Sequence, residues 1–132
     1  MAENQSVEDY LETILILSKR LPEVRSVDIA DEMHFTKASV SIGMKNLRAK
    51  GYIDMDDSKY ITLTESGRQI AEKIFERHDL ISAWLENLGV PTDVALSDAC
   101  KMEHTLSEET FAAIKRHVIE NNELNRRQEQ SA

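Results

Sequence analysis

Six side chains in this sequence could hold a metal ion between them: Asp9 with Glu12, three apart; His78; and Cys100 with Glu103 and His104, at intervals of three and four. Residues at those intervals share one face of a helix, so each group can aim its donors at a point. Carboxylate oxygens, imidazole nitrogens and a thiolate together suit a transition metal rather than calcium or magnesium. A second group has another chemistry. Thr36, Lys37, Ala38, Ser39, Ser41 and Ile42 are followed by Lys45, Arg48 and Lys50. Hydroxyls can bond phosphates or base edges, an alanine methyl can meet a thymine methyl, and cationic side chains hold phosphates without reading sequence. No arginine or glutamine stands among Lys37 to Ser41, so readout there leans on DNA shape and methyl contact.

Each residue also has an ordinary reading. Asp9 can serve as a capping acid behind Ser6, Glu12 can be solvated, His78 can be a satisfied histidine on an amphipathic helix, and Cys100 a small buried hydrophobe. Glu103 with His104 is a common polar pair. Spacing on separate elements does not establish convergence, and for the metal cluster both readings stand at this level. Thr36 can merely cap a helix and the lysines merely solvate it, but the surrounding pattern favours DNA.

That pattern comes from the elements that must carry these residues. Val7, Leu11, Ile14 and Leu15 recur at helical spacing behind Ser6 and Asp9, predicting a helix over 7–19 that Pro22 closes. Ser26 caps a short helix to Met33 with Val27, Ile29 and Ala30 inward, and a turn follows at His34 and Phe35. Thr36 caps a helix over 37–50, with Val40, Met44 and Leu47 on its buried stripe and Gly51 ending it. Strands at 52–55 and 59–63 flank a polar turn at Asp56, Asp57 and Ser58. Helix, turn, helix and hairpin make a winged helix-turn-helix whose second helix enters the major groove.

Thr62 with Glu65 then caps a long helix bearing Ile70, Ile74, Ile81, Leu85 and Leu88, which Gly89 and Pro91 end. A helical turn over 92–96, a helix over 98–105 and a last one over 107–121, with Phe111, Ile114 and Val118 inside, complete a mainly α chain; the tail from Asn122 is polar and frays.

The 132 residues, 41% hydrophobic and 30% charged, suffice for a packed core and exclude a disordered chain. No apolar run reaches the roughly 18 residues of a membrane span, and no signal peptide opens the chain. Cys100, the single cysteine, cannot form an internal disulfide, which fits a reducing cytoplasm. Sixteen Lys and Arg against twenty-four Asp and Glu give a net charge of −8, which argues against general attraction to polyanions. The exception is local: from Met33 to Ile53 there is no acidic residue, whereas 51–100 holds four bases against ten acids.

The sequence resembles the iron-dependent repressors, a family that includes the diphtheria toxin repressor and the manganese transport regulators. The resemblance runs from Glu8 to about Ser107 and rests on Glu8-Asp9-Tyr10-Leu11-Glu12, Val27-Asp28-Ile29-Ala30, Ser39-Val40-Ser41, Ile61 to Gly67, Arg77-His78-Asp79-Leu80 and Cys100 to Ser107. It implies a winged helix-turn-helix DNA-binding domain at 1–72 and a helical metal-binding and dimerisation domain at 73–132. The implied molecule is a homodimeric, cytoplasmic repressor that binds double-stranded operator DNA when a divalent metal (manganese, iron, zinc or cobalt) occupies it, and touches no membrane.

By position, Asp9, Glu12, His78, Glu103 and His104 fall where the manganese regulators place ligands, and Cys100 where they have a glutamate and the iron branch a cysteine. Two ligands of an ancillary site in the iron branch fall on Ser82 and Leu96, which cannot replace them, and the third, SH3-like domain of that branch is not expected. Two other functions are consistent with parts of the pattern. A winged-helix regulator answering an organic ligand or a protein partner would show no metal-dependent DNA affinity. A metallohydrolase would use the same donors to activate water, but no added nucleophile or phosphate loop accompanies them.

Overall fold

The computed structural model describes the backbone of residues 2–131 and the side chains of residues 5–122. They form two compact units, 1–75 and 76–132, and the division falls within one long helix.

In the first unit, α1 (Ala2–Arg20) turns Tyr10, Leu11, Ile14 and Leu17 inward. The helix starts ahead of Ser6, so Ser6 and Asp9 lie inside it and form no cap; nothing in Ala2 to Gln5 breaks a helix. For α2 (Ser26–Met33) the cap is likewise displaced: Asp28 Oδ2 accepts the Arg25 N–H at 2.9 Å, and Ser26 is already helical. Ile29 and Ala30 are buried as expected, but Val27 is exposed and borders the cleft beside the next helix. His34 closes α2 in the left-handed region at φ 58°, a conformation histidine adopts more readily than most residues.

The third helix, α3 (Lys37–Ala49), follows its expected pattern closely. Thr36 Oγ1 accepts the Ser39 N–H at 3.1 Å, Val40, Met44 and Leu47 are buried, and Gly51 ends the turn at φ 81°. The hairpin is shorter than expected. β1 (Ile53–Met55) pairs antiparallel with β2 (Ile61–Leu63), Ile53 opposite Leu63 and Met55 opposite Ile61. Tyr52 gives its N–H to the Leu47 carbonyl behind α3, and the Tyr60 N–H turns to Asp56 Oδ1, so both flanks belong to connections.

Thr62 pairs with Asp54 in this hairpin and cannot cap the helix that follows. Thr64 does so instead, its Oγ1 accepting the Gly67 N–H at 3.2 Å, and α4 runs Glu65–Asn87. The core of the first unit is one cluster from α1, α2, α3, both strands and Ala71 of α4, with Leu11, Ile14, Ile29 and Val40 fully enclosed. Burying each such side chain contributes about 1.5–3 kcal/mol, which is what fixes α3 with its polar face outward.

The second unit comprises the end of α4, α5 (Thr92–Met102) and α6 (Glu108–Ser131). One helix replaces the two short ones expected between 92 and 105: no glycine or proline interrupts Thr92 to Met102, and Ala95 and Ala99, four apart, are both fully buried. Ser107 caps α6 by accepting the Thr110 N–H at 3.1 Å. That helix continues to Ser131 rather than stopping near Asn121, through glutamate, leucine, arginine and glutamine, all good helix formers. The tail from Asn122, expected to fray, is helical to Ser131; residue 132 lies outside the described residues. Ile81 and Val118 are buried and Leu85, Phe111 and Ile114 half-buried, while Leu88 is exposed, contrary to its expected place on the apolar face. Among the described residues no helix is long and apolar enough to cross a membrane.

Candidate nucleic-acid interface and metal centre

The inward stripe of α3 leaves Lys37, Ala38, Ser39, Ser41, Ile42, Lys45 and Arg48 on its outer face, with Thr36 before it and Lys50 after it, all exposed. Ile42 is 63% exposed, a large apolar side chain with no place in the core. Thr36 and Ser39 also pair through their hydroxyls, Thr36 Oγ1 donating to Ser39 Oγ at 2.9 Å, which fixes both at the start of the helix.

Beside α3 lies a cleft of about 480 Å³ between this helix, the start of α2 and the hairpin. Lys45 and Arg48 line it together with Arg25, Lys59, Ser41 and Met55, and among the described residues no carboxylate does. Arg25 is anchored there, its guanidinium 4.6 Å from the Tyr60 ring centre and donating to Tyr60 Oη at 2.9 Å. Lys59 stands in the hairpin turn at φ 65°, an unfavourable conformation for a lysine, held by its N–H to the Asp56 carbonyl at 2.9 Å. The acid-free window from Met33 to Ile53 omits Arg25 and Lys59 because it counts only consecutive residues. The aromatic neighbour Tyr60 and the turn signal at Asp56 to Ser58 were the available signs. A groove with four cations and no acid is suited to a polyanion backbone.

The other candidate cluster lies in the second unit, where the end of α5 carries Glu103 and His104 and α4 presents His78. His78 Nδ1 is 2.9 Å from Glu103 Oε2, and His104 Nε2 is 3.3 Å from Glu103 Oε1. The Glu103 side chain is 0% exposed, that of His104 3% and that of His78 24%. A carboxylate so enclosed is costly unless positive charge or hydrogen bonds compensate it. Oε1 accepts no hydrogen bond, and the adjacent donor set is two imidazoles and a carboxylate. These residues fit a divalent transition metal, which would offset the charge of the carboxylate and engage its open oxygen.

Sequence spacing alone did not bring His78 to Glu103, which is 25 residues away; the fold does. Cys100 is exposed on α5, one turn before Glu103. Asp9 and Glu12 are half-buried on α1 in the first unit, one turn apart. At the positions of the ancillary ligands, Ser82 donates its hydroxyl to the Asp79 carbonyl at 3.1 Å and Leu96 brings no donor atom.

Comparison with known proteins finds relatives for both units of the chain. Residues 4–61 match the N-terminal DNA binding domain of the iron dependent repressors, and residues 64–123 match the metal binding and dimerisation domain of the same family. An uncharacterised helix-turn-helix transcriptional regulator of Methanocaldococcus jannaschii is 35% identical over 114 residues, 85% of this chain and 91% of that one. The transcriptional regulator MntR of Escherichia coli is 35% identical over 109 residues, 83% of this chain and 70% of its own. Among solved structures, a manganese-dependent transcriptional repressor in complex with manganese superposes with a TM-score of 0.78 at 27% identity, over 85% of this chain and 52% of that one. The metal-dependent transcriptional regulator MtsR gives a TM-score of 0.79 at 26% identity, over 85% and 53%. The chain spans about half the length of those two structures.

Proposed function

Because the chain belongs to the iron-dependent repressor family, as a metal-dependent, DNA-binding transcriptional regulator and not an enzyme, we propose that it acts as a homodimeric repressor of metal-ion uptake or homeostasis genes in the cytoplasm. The observation that carries this reading is the enclosed Glu103 carboxylate flanked by His78 and His104, in the segment that matches the family's metal-binding domain. His78, Glu103 and His104 would hold the metal, with Cys100 and, by the family resemblance, Asp9 and Glu12 as further donors. Manganese, iron, zinc and cobalt are the candidate ions; the names of several similar solved structures favour manganese, and Cys100 favours the softer ions. When bound, the metal supplies the positive charge that this carboxylate-rich donor set lacks.

The chain's own residues do the rest. Thr36, Ala38, Ser39, Ser41 and Ile42 stand at the opening of α3, the part of such a helix that lies nearest the base edges. Lys37, Lys45, Arg48 and Lys50 hold phosphates. Two copies would present two such helices to two half-sites about one DNA turn apart, and a dimer held in that spacing would bind the operator more tightly.

The test is to titrate apo-protein with Mn²⁺, Fe²⁺, Co²⁺ and Zn²⁺, measuring metal uptake and affinity for a duplex selected from a random-sequence pool. At least one ion should tighten DNA binding about tenfold or more, the ordinary range of coupling between two sites. Equal affinity with and without every ion that binds would reject the reading in favour of a regulator answering another signal. The Asp9→Asn/Glu12→Gln double variant should fold and lose the response; an undiminished response would remove both residues from the ligand set.

A further inference from the structure

Arg77 precedes His78 in α4 and is itself buried, a rare place for a guanidinium. Its Nη1 donates to the Glu103 carbonyl at 3.1 Å and to the Leu106 carbonyl at 2.8 Å, and its Cζ lies 5.1 Å from the centre of the Phe111 ring. Those carbonyls stand at and just beyond the C-terminal end of α5, where a helix leaves acceptors without partners and carries its partial negative charge. Consecutive residues of α4 therefore grip Glu103 at both ends, Arg77 by the backbone carbonyl and His78 by the carboxylate.

We propose that Arg77 is a positioning residue of the metal centre, fixing the 103–106 turn so that Glu103 and His104 face His78 before any ion arrives. The inference rests on the metal-site reading above. Its benefit is geometric rather than electrostatic, since a guanidinium beside a cation site repels the ion it helps to receive. Within the turn, the Thr105 and Leu106 N–H groups both return to the Met102 carbonyl, at 3.1 and 3.3 Å, so the segment is closed on itself. Arg77 is what ties that closed turn through its backbone to α4. Ligands must be held within about 0.5 Å of a productive geometry, and groups that hold them typically govern affinity by 10–100-fold.

Arg77→Lys keeps the charge on a shorter stem, and Arg77→Met keeps only the apolar body. Co²⁺ titration by calorimetry, the visible ligand-field spectrum and the thermal unfolding of apo-protein should be compared across parent and variants. Both variants should bind Co²⁺ at least about tenfold more weakly, methionine more so than lysine, with altered ligand-field bands. Should the methionine variant fail to fold, the lysine variant decides by the same readout. Folded variants with the parental Co²⁺ constant and spectrum, whatever their unfolding temperature, would overturn the proposal. A parent that takes up no Co²⁺ would overturn the metal-site reading itself, which is a different result from parental binding unchanged by substitution.

Discussion

The ring of Tyr10 occupies the space that a side chain at Gly43 would need. A Cβ built on Gly43 would stand 2.7 Å from Tyr10 Cε2 and 2.8 Å from Cζ, well inside contact distance. Tyr10 follows Asp9 on α1 and also meets Phe35 edge-on, with ring centres 6.1 Å apart, just before α3. The absence of a side chain at position 43 thus sets how closely the helix bearing Asp9 and Glu12 approaches the helix bearing the candidate DNA contacts.

Gly43→Ala should therefore destabilise the protein. Helix propensity alone would stabilise it by about 1 kcal/mol, while overpacking costs about 1–3 kcal/mol, so a net loss of about 1 kcal/mol is expected by denaturant unfolding. In a Tyr10→Leu background the clash is gone and the same substitution should become neutral or stabilising. Equal stabilisation in both backgrounds would show that the ring yields freely.

Burial also raises the Tyr10 phenol above its ordinary pKa of 10.0. The unfolded chain loses that proton first, so the contribution is fully present below about pH 10 and is lost as pH rises through the folded value. Tyr10→Phe should flatten the alkaline limb of a stability–pH profile relative to the parent. Parallel limbs would place the phenol in water.

Much of this was legible in the sequence, for reasons visible in particular residues. Val40, Met44 and Leu47 with Thr36 before them defined α3 because cap and period agree. Local signals misled where tertiary structure outcompeted them. Thr62 makes a good cap on paper, but strand pairing claims it and Thr64 takes the role. The sequence pattern suggests a helical turn over 92–96 and a separate helix over 98–105, whereas Ala95 and Ala99 lie on one buried face and a single helix runs through both. For the candidate site, spacing found Glu103 and His104, since they share a helix end. Arg77 passed as a mere neighbour of His78, because its hydrogen bonds reach backbone carbonyls 26 and 29 residues away and leave no side-chain signature.

The cleft beside α3 makes a prediction about salt. Lys45, Arg48, Arg25 and Lys59 line one groove, and each phosphate contact contributes about 0.9 to the slope of log K against log salt concentration. Single substitutions by glutamine should lower that slope by about one unit and weaken all DNA sequences alike. Ile42→Ala should leave the slope unchanged and alter the preference among sequences. A slope unmoved by any of the four substitutions would take the groove out of the interface.

Cys100 separates the candidate metals. It is exposed one turn before Glu103 and His104, so its thiol is accessible to an incoming ion. A thiolate is softer than the carboxylate of the manganese regulators and favours Zn²⁺ or Co²⁺ over Mn²⁺, which also ranks lowest in intrinsic affinity among these ions. Coordination releases the thiol proton, so a Cys100-bound ion should bind more weakly as pH falls, and less steeply in Cys100→Ser. Cobalt reports the bond directly: the loaded parent should show an intense near-ultraviolet thiolate-to-metal charge-transfer band that Cys100→Ser abolishes. Cys100→Glu should shift the preference toward Mn²⁺ in competition with Zn²⁺. A cobalt-loaded parent without the band would leave the ion to nitrogen and oxygen donors, His78, Glu103 and His104 among them, and would move the expected preference toward manganese.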